Sequence, residues 1–129
     1  MPEKLLYEYA IIRYVPQVER EEFLNLGVIL FCKQHKCIKI DFNIDIQRIE
    51  AFSKVANLSV LQEHLLAFKR IAEAQNNSGV IGALDAASRF RWLTAVRSSV
   101  IQTSRPHPGF SYDLDCTLSQ LMTTMVLQN

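Results

Sequence analysis

The sequence predicts a single α+β domain: an antiparallel sheet of about four strands, three to five helices packed on one face, and a C-terminal helix closing the core. Three observations lead there. Residues 5–42 hold the densest supply of β-branched and aromatic residues, interrupted by one polar elbow and one short turn. From Asn43 onward the apolar period lengthens from two towards 3.6. Near the end, Leu114, Leu118, Leu121, Met122, Met125 and Val126 share one helical face.

Each element follows from local chemistry. Residues 6–15 mix aromatic and β-branched residues with only Glu8 and Arg13 charged, a strand pattern that Pro16 ends because proline has no N–H for a ladder. Residues 16–25 form a polar elbow, and residues 26–33 a second strand whose near-continuous apolar run suits a central position. Gly27, without a Cβ, marks a bulge or a close approach by another backbone. Lys33, Gln34, His35 and Lys36 make a short hairpin connection to a third strand at 37–42, where Cys37, Lys39 and Asp41 alternate with Ile38, Ile40 and Phe42. Asn43 or Asp45 caps a short helix with Ile46, Ile49 and Phe52 inward. Leu58, Leu61, Leu65, Phe68 and Ala72 then form the stripe of a longer helix, closed by turn chemistry at residues 75–79. Residues 82–96 read as helix, 99–103 as a fourth strand, and 105–109 as an ordered loop, because Pro106, Pro108 and Gly109 punctuate it. Asp113 caps the last helix.

Composition narrows the classes of function. The 129 residues fit one domain, 1–129, which buries roughly two thirds of its unfolded surface without staples. With 14 basic against 13 acidic residues the formal charge is +1, which supplies no global attraction to nucleic acid or to an anionic membrane. The start of the chain carries Glu3 and Lys4 and no apolar h-region, so no secretion signal is expected, and no apolar run approaches a membrane span. An odd count of 3 cysteines argues against a secreted disulfide framework, so a cytoplasmic location is expected.

The residues able to carry chemistry fall in two segments. Arg13 and Tyr14 on the first strand adjoin Glu21, Glu22 and Asn25 of the elbow, and Arg105 and His107 lie far along the chain. If these segments meet, a pocket would hold an acid, a base and a guanidinium. Each residue also has an ordinary structural role: Arg13 in an ion pair, Asn25 bonding backbone in a turn, His107 as a hydrogen-bonding plug in a rigid loop. The imidazole of His107 is suited to acid or base work, and Arg105 beside it suits a phosphate or carboxylate. Cys32, His35 and Cys37 lack the paired spacing of a zinc site and Cys116 is remote, so neither a metal nor a cofactor is expected. Arg89, Arg91 and Arg97 around Trp92 match a nucleic-acid patch in composition, although arginine stems commonly just cover a half-buried tryptophan.

Residues 9–16, then Arg20, Glu22, Asn25, Gly27 and Val28, and later Trp92-Leu93, the run from Ser104 to Gly109 and Thr117-Leu118, together resemble a bacterial domain-of-unknown-function family, number 3037. The resemblance spans nearly the whole chain and implies a small single-domain protein with no assigned reaction. It further implies an accessory role beside a kinase-like protein of the persistence-factor type. It carries over no catalytic residue. The family pattern has a glycine where this chain has Glu21, which puts a tight turn there in doubt.

Three functions follow as expectations. The leading one is a non-enzymatic accessory or regulatory module that binds a protein partner, with self-association left open. The second is a small enzyme acting on a phosphate-containing substrate, using Glu22 and His107 as acid and base, with Arg13 and Arg105 on the anion. The third, less favoured on charge, is a nucleic-acid-binding module.

Overall fold

The computed structural model describes residues 3–127. Strand β1 (Leu5–Tyr14) organises the sheet because both of its edges are used. Along one edge runs β2 (Leu24–Cys32), antiparallel from Tyr7↔Cys32 to Tyr14↔Leu24, and β3 (Cys37–Phe42) follows outside it. The other edge is shared end to end by β4 (Ile101–Thr103), opposite Ile12 to Tyr14, and β5 (His107–Ser111), opposite Leu5 to Tyr9. Five strand segments therefore make a sheet four strands wide, as the sequence predicts.

Of the segment 105–109 expected to be a loop, residues 107–109 belong to an edge strand instead, while Arg105 and Pro106 remain outside any strand. Ile11 donates its N–H to Ser104 Oγ at 2.8 Å and accepts Ser104 N–H at 2.9 Å, so odd-numbered residues of β1 direct their backbone polar groups at this edge. Tyr9↔His107 and Tyr7↔Gly109 keep that phase, which turns the nitrogens of Pro106 and Pro108 outward, where a missing N–H costs the ladder nothing. The prolines that argued for a loop are spaced two apart and thus fit an outermost strand. Between the pairs Tyr9↔His107 and Ile12↔Thr103 the edge spends three residues against two on β1, a bulge spanned by the Ser104 hydroxyl.

Alternation along the strands gives two covered faces. Ala10, Ile12 and Tyr14 of β1 join Ile29 and Phe31 of β2 against helices α1 (Ile46–Phe52), α2 (Leu58–Ala72) and α4 (Ala86–Leu93), with the single turn α3 (Gly79–Gly82) linking the last two. Phe31 and Phe90 stack with ring centroids 5.3 Å apart at the centre of this core. On the opposite face, α5 (Leu114–Met122) and a π-helical turn (Thr123–Leu127) lie over β2 and β3, burying Leu5, Val28, Leu30 and Cys32 against Leu114, Met122 and Val126. The C-terminal helix closes the fold from this second side.

Helix starts match the sequence chemistry closely. Asp45, Asn57, Asp85 and Asp113 each accept the N–H three residues on, the geometry that removes one orphan donor per helix at about 1 kcal/mol. Two expectations need adjustment. In α1 only Ile49 is fully buried while Ile46 is half exposed, because the helix is too short to turn a full stripe inward. Of residues 82–96, Gly82 ends α3 and the rest are helical only as α4, which Thr94 ends.

Gly27 fulfils both of its expected roles. The β1–β2 register passes from Ile12↔Gly27 to Arg13↔Asn25, leaving Leu26 as the extra residue of a bulge, and Leu26 C=O accepts Asn43 N–H at 2.8 Å. A Cβ at Gly27 would stand 2.3 Å from the Asp41 carbonyl oxygen, so the close strand contact requires glycine.

Candidate functional site

Arg13 sits in the β1 phase that faces away from the three-helix core, on the part of the sheet α5 leaves uncovered. Its guanidinium lies over the Phe23 ring, 4.0 Å from the centroid, and its Nε is buried without a hydrogen-bond partner among the described residues. Gln102, opposite Arg13 on β4, extends the same wall. Arg97, in the segment between α4 and β4, closes the other side. It lies 4.1 Å from the centroid of Trp92 and donates to the Trp92 carbonyl. Arg13, Phe23, Arg97, Ser98 and Gln102 thereby line one open cleft of about 450 Å³, with Val15, Val18 and Val96 as its apolar lining.

The electrostatics of this cleft are unbalanced. Burial pulls both arginines below the ordinary guanidinium pKa, since desolvation disfavours the charged form, and neither makes an ion pair among the described residues. Glu21 lines the rim without reaching either guanidinium as an ion-pair partner. Two partly desolvated cations held by aromatic rings, with donor positions unspent, have the chemistry that a carboxylate or a phosphate would complement. Arg97 and Gln102 also border a second, more apolar cleft of about 360 Å³ between α2, α4 and β4, lined by Phe68, Ile71 and Trp92.

The other residues singled out in sequence disperse. Asn25 stands opposite Arg13, but its Nδ2 donates to Met125 C=O at 3.1 Å, which ties the C-terminal turn to β2 and leaves Oδ1 buried without a hydrogen-bond partner among the described residues. Glu22 bonds Arg20 at the surface near Phe52 and Ser53, beyond the far end of β1. Tyr14 is buried, and its hydroxyl accepts Asn57 N–H at 3.4 Å. His107 is exposed on β5 with its ring 5.5 Å from that of Tyr9, and Arg105 is exposed on the bulge without an ion pair among the described residues. Four strand positions separate Tyr9 from Arg13, roughly 13 Å, and at least five separate His107 from the end where Glu22 lies, roughly 16 Å. Glu22 and His107 therefore do not face one substrate in this arrangement.

Comparison with known families settles membership. A profile described as protein of unknown function (DUF3037) matches residues 9–126. The chain belongs to the DUF3037 family. No curated protein and no solved structure matches it. Within this DUF3037 chain, the tight turn that Glu21 put in doubt does form: Glu21 adopts a left-handed φ of 58° at the end of the 3-10 turn Val18–Arg20. Sequence reasoning missed Arg97 and Phe23 as companions of Arg13. The available signal was Arg97 beside Trp92, read as part of a patch with Arg89 and Arg91. In the fold Arg89 donates to Leu84 C=O at 2.7 Å, while Arg91 borders a different cleft beside Pro108. Among the described residues no helix is long and apolar enough to cross a membrane.

Proposed function

We propose that this chain is a non-enzymatic accessory module and that the Arg13–Arg97 cleft receives an acidic group of a protein partner. The observation that carries the reading is the pair of partly buried guanidiniums in one cleft without an ion-pair partner among the described residues. A buried cation without a counter-ion is costly in the free protein, and a partner carboxylate or phosphate relieves that cost on binding. Phe23 and Val96, both exposed, flank the cations with apolar surface of the kind that anchors a peptide. The spacing of Glu22 and His107 favours this reading over a phosphate-ester enzyme, whose acid and base must reach one substrate.

The first partner to test is the kinase-like protein of the persistence-factor type that the family resemblance implies. Titration of that protein with the wild-type chain, followed by calorimetry, is expected to give a stoichiometric complex that weakens as salt rises. The double variant Arg13→Gln, Arg97→Gln is expected to bind at least about tenfold more weakly. Equal binding by the double variant, with both proteins folded by circular dichroism, would remove the cleft from the interface.

A further inference from the structure

The two outer edges of the sheet are built differently. On the β4–β5 side, Pro106, Pro108 and the Ser104 bulge interrupt the row of backbone groups that another strand would need. On the other side, β3 pairs with β2 without a register break from Gly27↔Phe42 to Cys32↔Cys37, contains no proline, and has no strand beyond it among the described residues. Asn43 N–H donates to Leu26 C=O, so the odd-numbered residues of β3 spend their backbone groups on β2. By alternation, Ile38, Ile40 and Phe42 turn their N–H and C=O outward, and these groups make no hydrogen bond among the described residues.

The geometry points to a second copy of this chain as the occupant: we propose that β3 pairs antiparallel with β3 of another molecule, joining two sheets about a twofold axis at Ile40. The charge pattern selects that register. Only outward-facing residues can exchange hydrogen bonds, so the symmetric registers near the middle of the strand centre on Lys39, Ile40 or Asp41. Centring on Lys39 sets two ammonium groups face to face, and centring on Asp41 does the same with two carboxylates. Centring on Ile40 places Lys39 opposite Asp41 of the second copy, twice, with Ile38 opposite Phe42 on the other face. Lys39 holds Asp115 of α5 at 2.9 Å, and by alternation Lys39 and Asp41 share that face of the sheet. The arrangement is isologous and closed, so pairing stops at two molecules.

Sedimentation equilibrium of the full chain tests it, because pairing of β3 predicts a dimer. Lys39→Asp and Asp41→Lys each set like charges opposite one another in two places and are expected to weaken the dimer about tenfold or more. The double variant, carrying both substitutions, restores opposite charges and is expected to dimerise like wild type. Ile40→Pro removes an outward donor while leaving the β2 ladder intact, and is expected to be a folded monomer. A wild-type chain that stays monomeric, single variants that dimerise unchanged, or a folded double variant that remains monomeric would each overturn the proposal. The Arg13–Arg97 cleft plays no part in this pairing, so its own test stands apart.

Discussion

The two faces of the sheet are finished to different degrees. On one, Ala10, Ile12 and Ile29 are 0 % exposed beneath α1, α2 and α4, and aromatic stacking of Phe31 on Phe90 fills the centre. On the other, α5 covers β2, β3 and Leu5 at the start of β1 but only partly covers the rest of β1, so Tyr7, Tyr9, Ile11 and Arg13 stay partly open to solvent. The first face supplies stability through apolar burial. The second combines a smaller core with a cation whose hydrogen-bonding capacity is left over, the condition expected where a fold retains something for binding.

Removing Phe90 should give the largest response. Phe90→Ala empties the stacked centre and is expected to cost about 3–5 kcal/mol, read as a lower urea midpoint, with binding through the cleft unchanged while the protein remains folded. Val126→Ala on the opposite face, although Val126 is also 0 % exposed, is expected to cost less, because it deletes a smaller side chain from a smaller cluster. If the two variants lose the same stability, the two faces contribute equally to the fold.

Asn25 comes next, since it joins the two regions. Asn25→Ala leaves the Met125 carbonyl without its donor and is expected to cost about 1–2 kcal/mol. The loss should appear locally, as faster amide exchange in the turn Thr123–Leu127, with the exchange of α2 altered much less. Uniform acceleration across the molecule would show that Asn25 supports the core as a whole.

How much of this was legible in the sequence depends on the range of the interaction. Strand and helix identities, the N-caps at Asp45 and Asp113 and the role of Gly27 follow from neighbours in the chain, and the fold agrees with them. The β5 strand was hidden because proline argues against a ladder unless its nitrogen faces outward, and that direction is fixed only by the phase of β1, about a hundred residues away. Arg13 was visible as an odd charge in an apolar strand. Its companion Arg97 was not, since nothing local says that the segment after α4 returns to the start of β4 beside β1. Glu22 and His107 looked like an acid–base pair only while their distance along the sheet was unknown.

Within the open face, Arg13→Met separates stability from binding. Methionine keeps an apolar contact with Phe23 and deletes the buried, unpaired Nε, so stability is expected to rise by up to about 1 kcal/mol while partner binding is lost. A fall in stability would mean that the cation on Phe23 contributes more to the fold than its unpaired nitrogen costs.

The smallest expected change is at Glu21, and it distinguishes backbone from charge. Glu21 closes the 3-10 turn at φ 58°, a conformation an L side chain reaches at a cost of about 1 kcal/mol and glycine reaches freely. Glu21→Gly should therefore raise stability by roughly 0.5–1 kcal/mol, less the entropy glycine returns to the unfolded chain. The same substitution removes the carboxylate at the rim of the Arg13–Arg97 cleft, so affinity for an acidic partner should increase as well. Glu21→Gln keeps the backbone cost and removes only the charge: tighter binding without added stability would assign the affinity gain to electrostatics. Should Glu21→Gln bind like wild type while Glu21→Gly binds tighter, the shape of the turn, rather than its charge, controls access to the cleft.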